Sequence, residues 1–225
     1  MAMKQGHPNS TEAENGYDRL SGWYQLLERI LFGSALTRAR YQLLDHLPQA
    51  DRLLVFGDGD GRLIREISQR RPECSMVSVD LSCEMLKLQS QRLVEGRVHG
   101  SIELIHADVR SFNLDHRDFD GIVLVFFLDC FRRAELEELL PLWLTSVKSG
   151  GFVYFVDFVM PLVGWRAMRG RFILSLMHYF FRWQTGLEHR HIVDFTELFK
   201  TLRLECMVEH VSNHELIRSA IYRVS

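Results

Sequence analysis

Three glycines spaced by two, Gly57, Gly59 and Gly61, enclose two carboxylates, Asp58 and Asp60, and a further acid, Asp80, follows 19 residues after Gly61. Glycine is needed where a backbone takes positive φ or where a side chain would block the approach of a ligand. The dinucleotide pattern G-x-G-x-x-G sets a pyrophosphate on a helix N-terminus. Here the third glycine comes one residue early, and Arg62 stands where that pattern requires glycine. Ionised carboxylates in the turn would repel a phosphate by on the order of 1 kcal/mol per contact at intermediate dielectric. The turn also lacks lysine and the G-x-x-x-x-G-K-[ST] pattern, which excludes a P-loop. The chemistry that fits is recognition of a nucleoside-like ligand with cationic groups and no phosphate. A tight strand-to-helix turn with no ligand is the alternative. Asp80 suits a ribose, because one carboxylate offers two acceptors to two vicinal hydroxyls. Leu81 or Met85, just beyond it, could lie against an adenine.

The surrounding patterns predict how these residues are carried. Leu53–Phe56 is an apolar run that reads as a buried strand, and Leu63, Ile64 and Ile67 share one face of the helix that follows. Ser75–Asp80 reads as a second strand, with Ser82 capping a helix in which Met85, Leu86 and Leu88 alternate with Glu84, Lys87 and Gln89. A third strand over Ser101–Val109 carries Asp108, and a fourth spans Phe119–Phe127. Gly150 and Gly151 precede a fifth, Phe152–Phe158. A helix near Asp194–Thr201 and two closely linked strands, Leu204–His210 and Leu216–Val224, close the chain, and the short link makes them an antiparallel hairpin.

The G-x-G-x-G turn, strand-Asp80, strand-Ala107-Asp108 and terminal hairpin, in this order, resemble the class I S-adenosylmethionine (SAM)-dependent methyltransferases, over about residues 50–225. SAM carries a sulfonium, an ammonium, a carboxylate and an adenosine, which suits a turn hostile to phosphate. The resemblance implies a Rossmann-like α/β fold: a seven-stranded, mostly parallel sheet ending in an antiparallel hairpin, with helices on both faces. It implies SAM as cofactor and S-adenosylhomocysteine as product. It assigns the adenine amino group to Asp108 with the Val109 backbone N–H beside it, sets the stretch from Leu128 to Phe131 near the methyl group and the acceptor, and leaves Phe126 as a cofactor-binding candidate. Asp129 is then a candidate to face the acceptor, with capping of the next helix, Arg132–Leu144, as its alternative role. Asp157 is a second candidate at the acceptor side. His178 is a third candidate base, since histidine titrates near neutrality. One departure stands out: Val55 occupies the position, two residues before the first glycine, where an acid is usual. Asp58 is expected to meet the cofactor ammonium in its place.

The rest of the chain frames these expectations. Residues 1–16 read as a disordered tail and 17–48 as a helical cap, in which Tyr17, Trp23 and Tyr24 either cover the cofactor or fill core. Residues 49–225 form the methyltransferase domain, and 160–190 a helical insertion over the acceptor site. The aromatics of 172–183 suggest an apolar or aromatic small-molecule acceptor. A dimer face, or a membrane-surface helix through 162–183, is the competing reading. A net charge of −2 and the absence of an N-P-P-Y-like motif after the fourth strand argue against nucleic acid. Four scattered cysteines, Cys74, Cys83, Cys130 and Cys206, read as reduced, mostly buried thiols. With no secretion signal or apolar run of about 18 residues, they point to the cytoplasm. His189 and His191 have no cysteine or acid at ligand spacing, so no metal is expected. The chain is compatible with a monomer or a homodimer. Two other functions fit: a protein of this fold that binds SAM or a relative without methylating, and an interaction protein using 172–183.

Overall fold

Strand segments buried at every residue can sit only where both sheet faces are covered, and Leu53–Phe56, Met76–Val79, Gly121–Val125 and Phe152–Phe158 are of that kind. The structure, a computed structural model, describes residues 34–98, 100–114, 118–159 and 195–225. Helix α1 (Ala35–Tyr41) and a short 3-10 turn (Leu44–His46) lead into β1 (Arg52–Phe56). Then follow α2 (Arg62–Arg70), β2 (Ser75–Asp80), α3 (Cys83–Glu95), β3 (Ile102–His106) and β4 (Phe119–Val125). A 3-10 turn (Leu128–Cys130), α4 (Arg133–Leu144) and β5 (Val147–Phe158) come next. Helix α5 (Phe195–Thr201), β6 (Glu205–Ser212) and β7 (Ile217–Arg223) complete the described residues.

The seven strands form one sheet in the order β3-β2-β1-β4-β5-β7-β6. The first five are mutually parallel, whereas β7 runs antiparallel to both β5 and β6. The expected seven-stranded sheet with its closing hairpin is therefore what the chain builds. The chain leaves β1 towards β2 and β3, then returns to the other side of β1 through β4. The strand order reverses there, and in open α/β sheets the crevice beyond the carboxyl ends at that reversal is where ligands bind.

One apolar layer joins Leu36 and Ala39 of α1 to Leu53 and Val55 of β1, to Leu63, Ile64 and Ile67 of α2, and to Tyr154 of β5. The opposite layer is built around Trp143 of α4, whose ring meets Phe56, Phe127 and Phe131 at centroid distances of 5.2, 5.9 and 5.5 Å. Trp143 Nε1 donates to the Val109 carbonyl at 3.2 Å, so this layer also fixes the loop after β3. Helix α1 is tied to the sheet through backbone carbonyls: Tyr154 Oη donates to Arg40 O at 2.8 Å, and Ser219 Oγ to Ala39 O at 3.0 Å.

Three expectations need correction. Leu36, Ala39, Tyr41, Leu43 and Leu44 suggest one helix over about 34–46 within the cap, but α1 ends at Tyr41, because the chain tightens into the 3-10 turn before Pro48. Gln89 does not lie on the polar face of α3; it is wholly buried. Of the four free thiols only Cys74 is buried, and Cys206 is exposed on edge strand β6. The proposed tail and most of the cap, including Tyr17, Trp23 and Tyr24, lie outside the described residues, as do the 160–190 insertion and His178. Among the described residues no helix is long and apolar enough to cross a membrane.

Candidate functional site

The glycine turn leaves β1 with Gly57, Gly59 and Gly61 all at positive φ: 60°, 63° and 81°. A Cβ added at Gly59 would meet nothing within 4 Å, so the turn presents bare backbone to open space there. At Gly61 the pressure comes from inside: a Cβ would stand 2.9 Å from Gln89 Cα. Gln89 is also what shapes the turn. Its Nε2 donates to Gly59 O and Ser78 Oγ donates to its Oε1, both at 2.9 Å. Arg92 adds a second tether, donating to Asp60 O at 2.7 Å and to Asp60 Oδ2 at 2.8 Å. Arg62 reaches the same Asp60 oxygen at 2.8 Å. Asp60 therefore works inside the turn, between two guanidinium groups.

Asp58 has a structural task that the sequence did not show. It is only 6% exposed, and its carboxylate turns into the first turn of α2, accepting from Leu63 N–H at 3.3 Å and Ile64 N–H at 3.0 Å. The reason is local. The residue at the helix N-cap is Gly61, which has no side chain to accept the free N–H groups of the first turn. Asp58 supplies that acceptor from three residues upstream. Burial pushes its carboxyl up to about 7; the Arg40 guanidinium and the two N–H groups oppose this without cancelling it, and Asp60 adds to it.

Asp80 stands where expected, at the carboxyl end of β2. Its Oδ1 accepts from Ser82 N–H at 2.9 Å, and Gly59 and Leu81 N–H also donate to it. Burial raises this carboxyl to about 6 against those donors and nearby His106. One carboxylate thus ties the glycine turn to the start of α3, where Ser82 Oγ accepts from Met85 N–H at 3.2 Å. Leu81 and Met85 are half-buried beside it, and His106 Nε2 lies 2.8 Å from Leu81 O. One strand further out, Asp108 Oδ1 accepts from Arg110 N–H at 2.9 Å, and Val109 is buried behind it. Asp80 and Asp108 thus follow adjacent strands β2 and β3.

The floor of the crevice is β4 and its continuation. Phe126 has φ +52°, a conformation that costs a bulky residue on the order of 1–3 kcal/mol. Its N–H donates to Val156 O at 2.7 Å, and its ring lies 5.3 Å from that of Phe158. The 3-10 turn that follows is held from below by Asp157, which is fully buried. Asp157 Oδ2 accepts from Asp129 N–H at 3.2 Å, and Oδ1 from Phe158 N–H at 2.8 Å. Burial, and then the neighbouring Asp129 charge, raise the Asp157 carboxyl well above the ordinary range. Through these two hydrogen bonds Asp157 orders the turn that carries Asp129. Asp129, half-buried on that turn, does not cap α4. Arg132 is the N-cap there, and its N–H donates to Glu135 Oε2 at 2.9 Å.

Arg40 of α1 was missed by the sequence reading. It is 8% exposed, and its guanidinium lies over the Phe126 ring at 5.7 Å. After burial it is the strongest influence on Asp58. Gln89 was missed too, although the polar Ser78 within an apolar strand was a signal that β2 needed a buried partner.

A glycine turn at positive φ, two strand-end acids and a strained residue after β4 lie where the strand order reverses, an arrangement that fits a nucleoside site of an α/β protein. Residues 53–151 match the family model of a methyltransferase domain. The chain is 28% identical over 126 residues to the demethylmenaquinone methyltransferase of Thermotoga maritima, covering 54% of this chain and 52% of that one. It thus spans about half the length of that relative. Among solved structures it is similar to an O-methyltransferase family protein of Burkholderia thailandensis, with TM-score 0.69, 15% identity and coverage of 95% of this chain and 64% of that one. It is also similar to the N-methyltransferase NodS of Bradyrhizobium japonicum solved with S-adenosylhomocysteine, with TM-score 0.59, 17% identity and coverage of 93% and 98%. These findings mark residues 53–151 as a methyltransferase domain and support the class I SAM-dependent methyltransferase superfamily for the chain.

Proposed function

We propose that the chain transfers a methyl group from SAM to a small apolar or aromatic molecule in the cytoplasm. The observation that supports this most is the pairing of Asp80 and Asp108, on adjacent strand ends, with the open backbone at Gly59. The residues fit the cofactor. Asp80 takes the ribose hydroxyls, Asp108 the adenine amino group with Val109 N–H beside it, and Leu81 and Met85 flank the ring. When bound, SAM supplies a methyl group already activated on a sulfonium sulfur. What remains for the chain is alignment, which can lower a barrier by roughly 7–11 kcal/mol. Asp129, on the turn that Asp157 orders, is the group that takes a proton from an acceptor oxygen or nitrogen in this reading. The acceptor class is supported by the aromatic character of 172–183 and by the quinone precursor in the name of the Thermotoga maritima relative. Incubation with SAM and a panel of quinols, phenols and aromatic amines tests it. The expected result is S-adenosylhomocysteine together with an acceptor gaining one methyl; no turnover with any acceptor would contradict it.

A second reading, cofactor binding without transfer, has one observation in its favour. Val55 carries no acid, and Asp58 is engaged as a helix cap. Tight binding of SAM with no turnover across the same panel would select that reading.

The raised carboxyls of Asp58 and Asp80 give a pH prediction. A cationic ligand favours the ionised form of both acids, so binding expels any proton they hold. Below about pH 7 for Asp58 and about pH 6 for Asp80 that proton is present in the free protein. SAM affinity is therefore expected to rise from pH 5 to 7, by up to about tenfold per pH unit for each proton released, and to level off above. Calorimetry in buffers of different ionisation heat should show proton release at pH 6 that fades by pH 8. Proton uptake, or none at any pH, would contradict it.

A further inference from the structure

We infer that Arg40 is the receptor for the carboxylate of the cofactor's amino-acid end, an inference that rests on the SAM reading above. Arg40 comes from α1, outside the strand-and-turn set that carries the nucleoside. More than nine-tenths of it is buried, and its Nε has no hydrogen-bond partner. Among the described residues nothing accepts a hydrogen bond from its guanidinium. The group is held by its ring contact with Phe126, and its charge is felt at Asp58 and Tyr41. A buried guanidinium with unmet donors is costly unless an anion completes it, and its planar fork matches a carboxylate.

Which anion follows from the neighbours. Arg40 and Asp58 stand together where β1 gives way to the glycine turn, one positive and one negative. An α-amino acid group carries just these two charges in reverse. Val55 explains why the guanidinium is left over. It lies in the apolar layer it shares with α1, so an acid there would have been on the face of the sheet that α1 covers. With valine at 55, that face offers Arg40 no carboxylate from β1, and the ligand provides one. Recognition of the amino-acid end is thus shifted from an acid on β1 to a cation on α1.

The test compares SAM with decarboxylated SAM, which keeps the sulfonium, amine and adenosine and lacks only the carboxylate. Titration calorimetry on the full chain should show wild-type protein binding SAM at least about thirtyfold more tightly. In Arg40→Met that preference should fall to within about threefold, through loss of SAM affinity alone, with decarboxylated SAM bound as before. Arg40→Lys should recover part of the preference. Equal wild-type affinity for the two ligands overturns the inference and leaves the cofactor reading standing. So does an Arg40→Met protein that loses both ligands equally while keeping its urea midpoint. Wild-type protein that binds neither ligand removes the cofactor reading and the inference together.

Discussion

Alanine in place of Asp80 is expected to weaken binding of S-adenosylhomocysteine about a hundredfold while leaving the chain folded. The carboxylate of Asp80 joins the glycine turn, through Gly59 N–H, to the start of α3, through Ser82 N–H. It is also the acceptor proposed for the ribose hydroxyls. Hydrogen bonds to a charged group contribute roughly 1.5–3 kcal/mol each, and two of them account for a hundredfold. The cost to folding is smaller because burial already opposes ionisation of this acid, raising it to about 6. The sign is clear. The folded chain keeps the proton after the unfolded chain has released it, so stability falls as pH rises from about 4 to 6, and alanine removes that loss. Asp80→Asn, with one acceptor oxygen, should fall between. Calorimetric affinities alongside urea midpoints check this, and an affinity within threefold of wild type would contradict it.

The second large effect is in the turn itself. Gly61→Val is expected to destabilise the fold by about 3 kcal/mol or more. Two costs add. Gly61 has φ +81°, where a β-branched residue is strained by on the order of 1–3 kcal/mol. Its new side chain would also drive into the backbone of α3, since even a Cβ would sit 2.9 Å from Gln89 Cα, and overpacking of this kind costs about 1–3 kcal/mol. The neighbouring Gly59 is the control. It has a similar φ of 63° but open space around it, so Gly59→Ala should lose stability through backbone strain alone. Urea unfolding of both variants measures the difference; equal losses would contradict the role given to Gln89.

Much of this architecture could be read from the sequence, because burial leaves a one-dimensional trace. Ser75–Asp80 was delimited to the residue, since an apolar run stopped by an acid is both a strand and its end. The closing hairpin was legible from two strands too near each other for a crossover helix. Contacts between distant segments were not legible. Arg40 reads as an ordinary helix arginine until the fold brings α1 over β4 and sets its guanidinium on Phe126, 86 positions along the chain. Gln89 reads as surface because its buried partners are a serine side chain in β2 and a carbonyl in the turn. The structural task of Asp58 was hidden for a subtler reason. The sequence shows an acid between glycines, but not that a glycine N-cap leaves α2 in need of a carboxylate. Asp157 was placed correctly at the end of β5, but its full burial and its hydrogen bond from Asp129 N–H, a contact between distant segments, were not legible.

Titration of the purified chain with S-adenosylhomocysteine, with NAD as the comparison ligand, tests the central claim most directly. Saturable one-to-one binding of S-adenosylhomocysteine, lost about a hundredfold in Asp80→Ala and absent for NAD, is the expected result. Binding of NAD in its place, or no binding of either ligand at millimolar concentration, would contradict it.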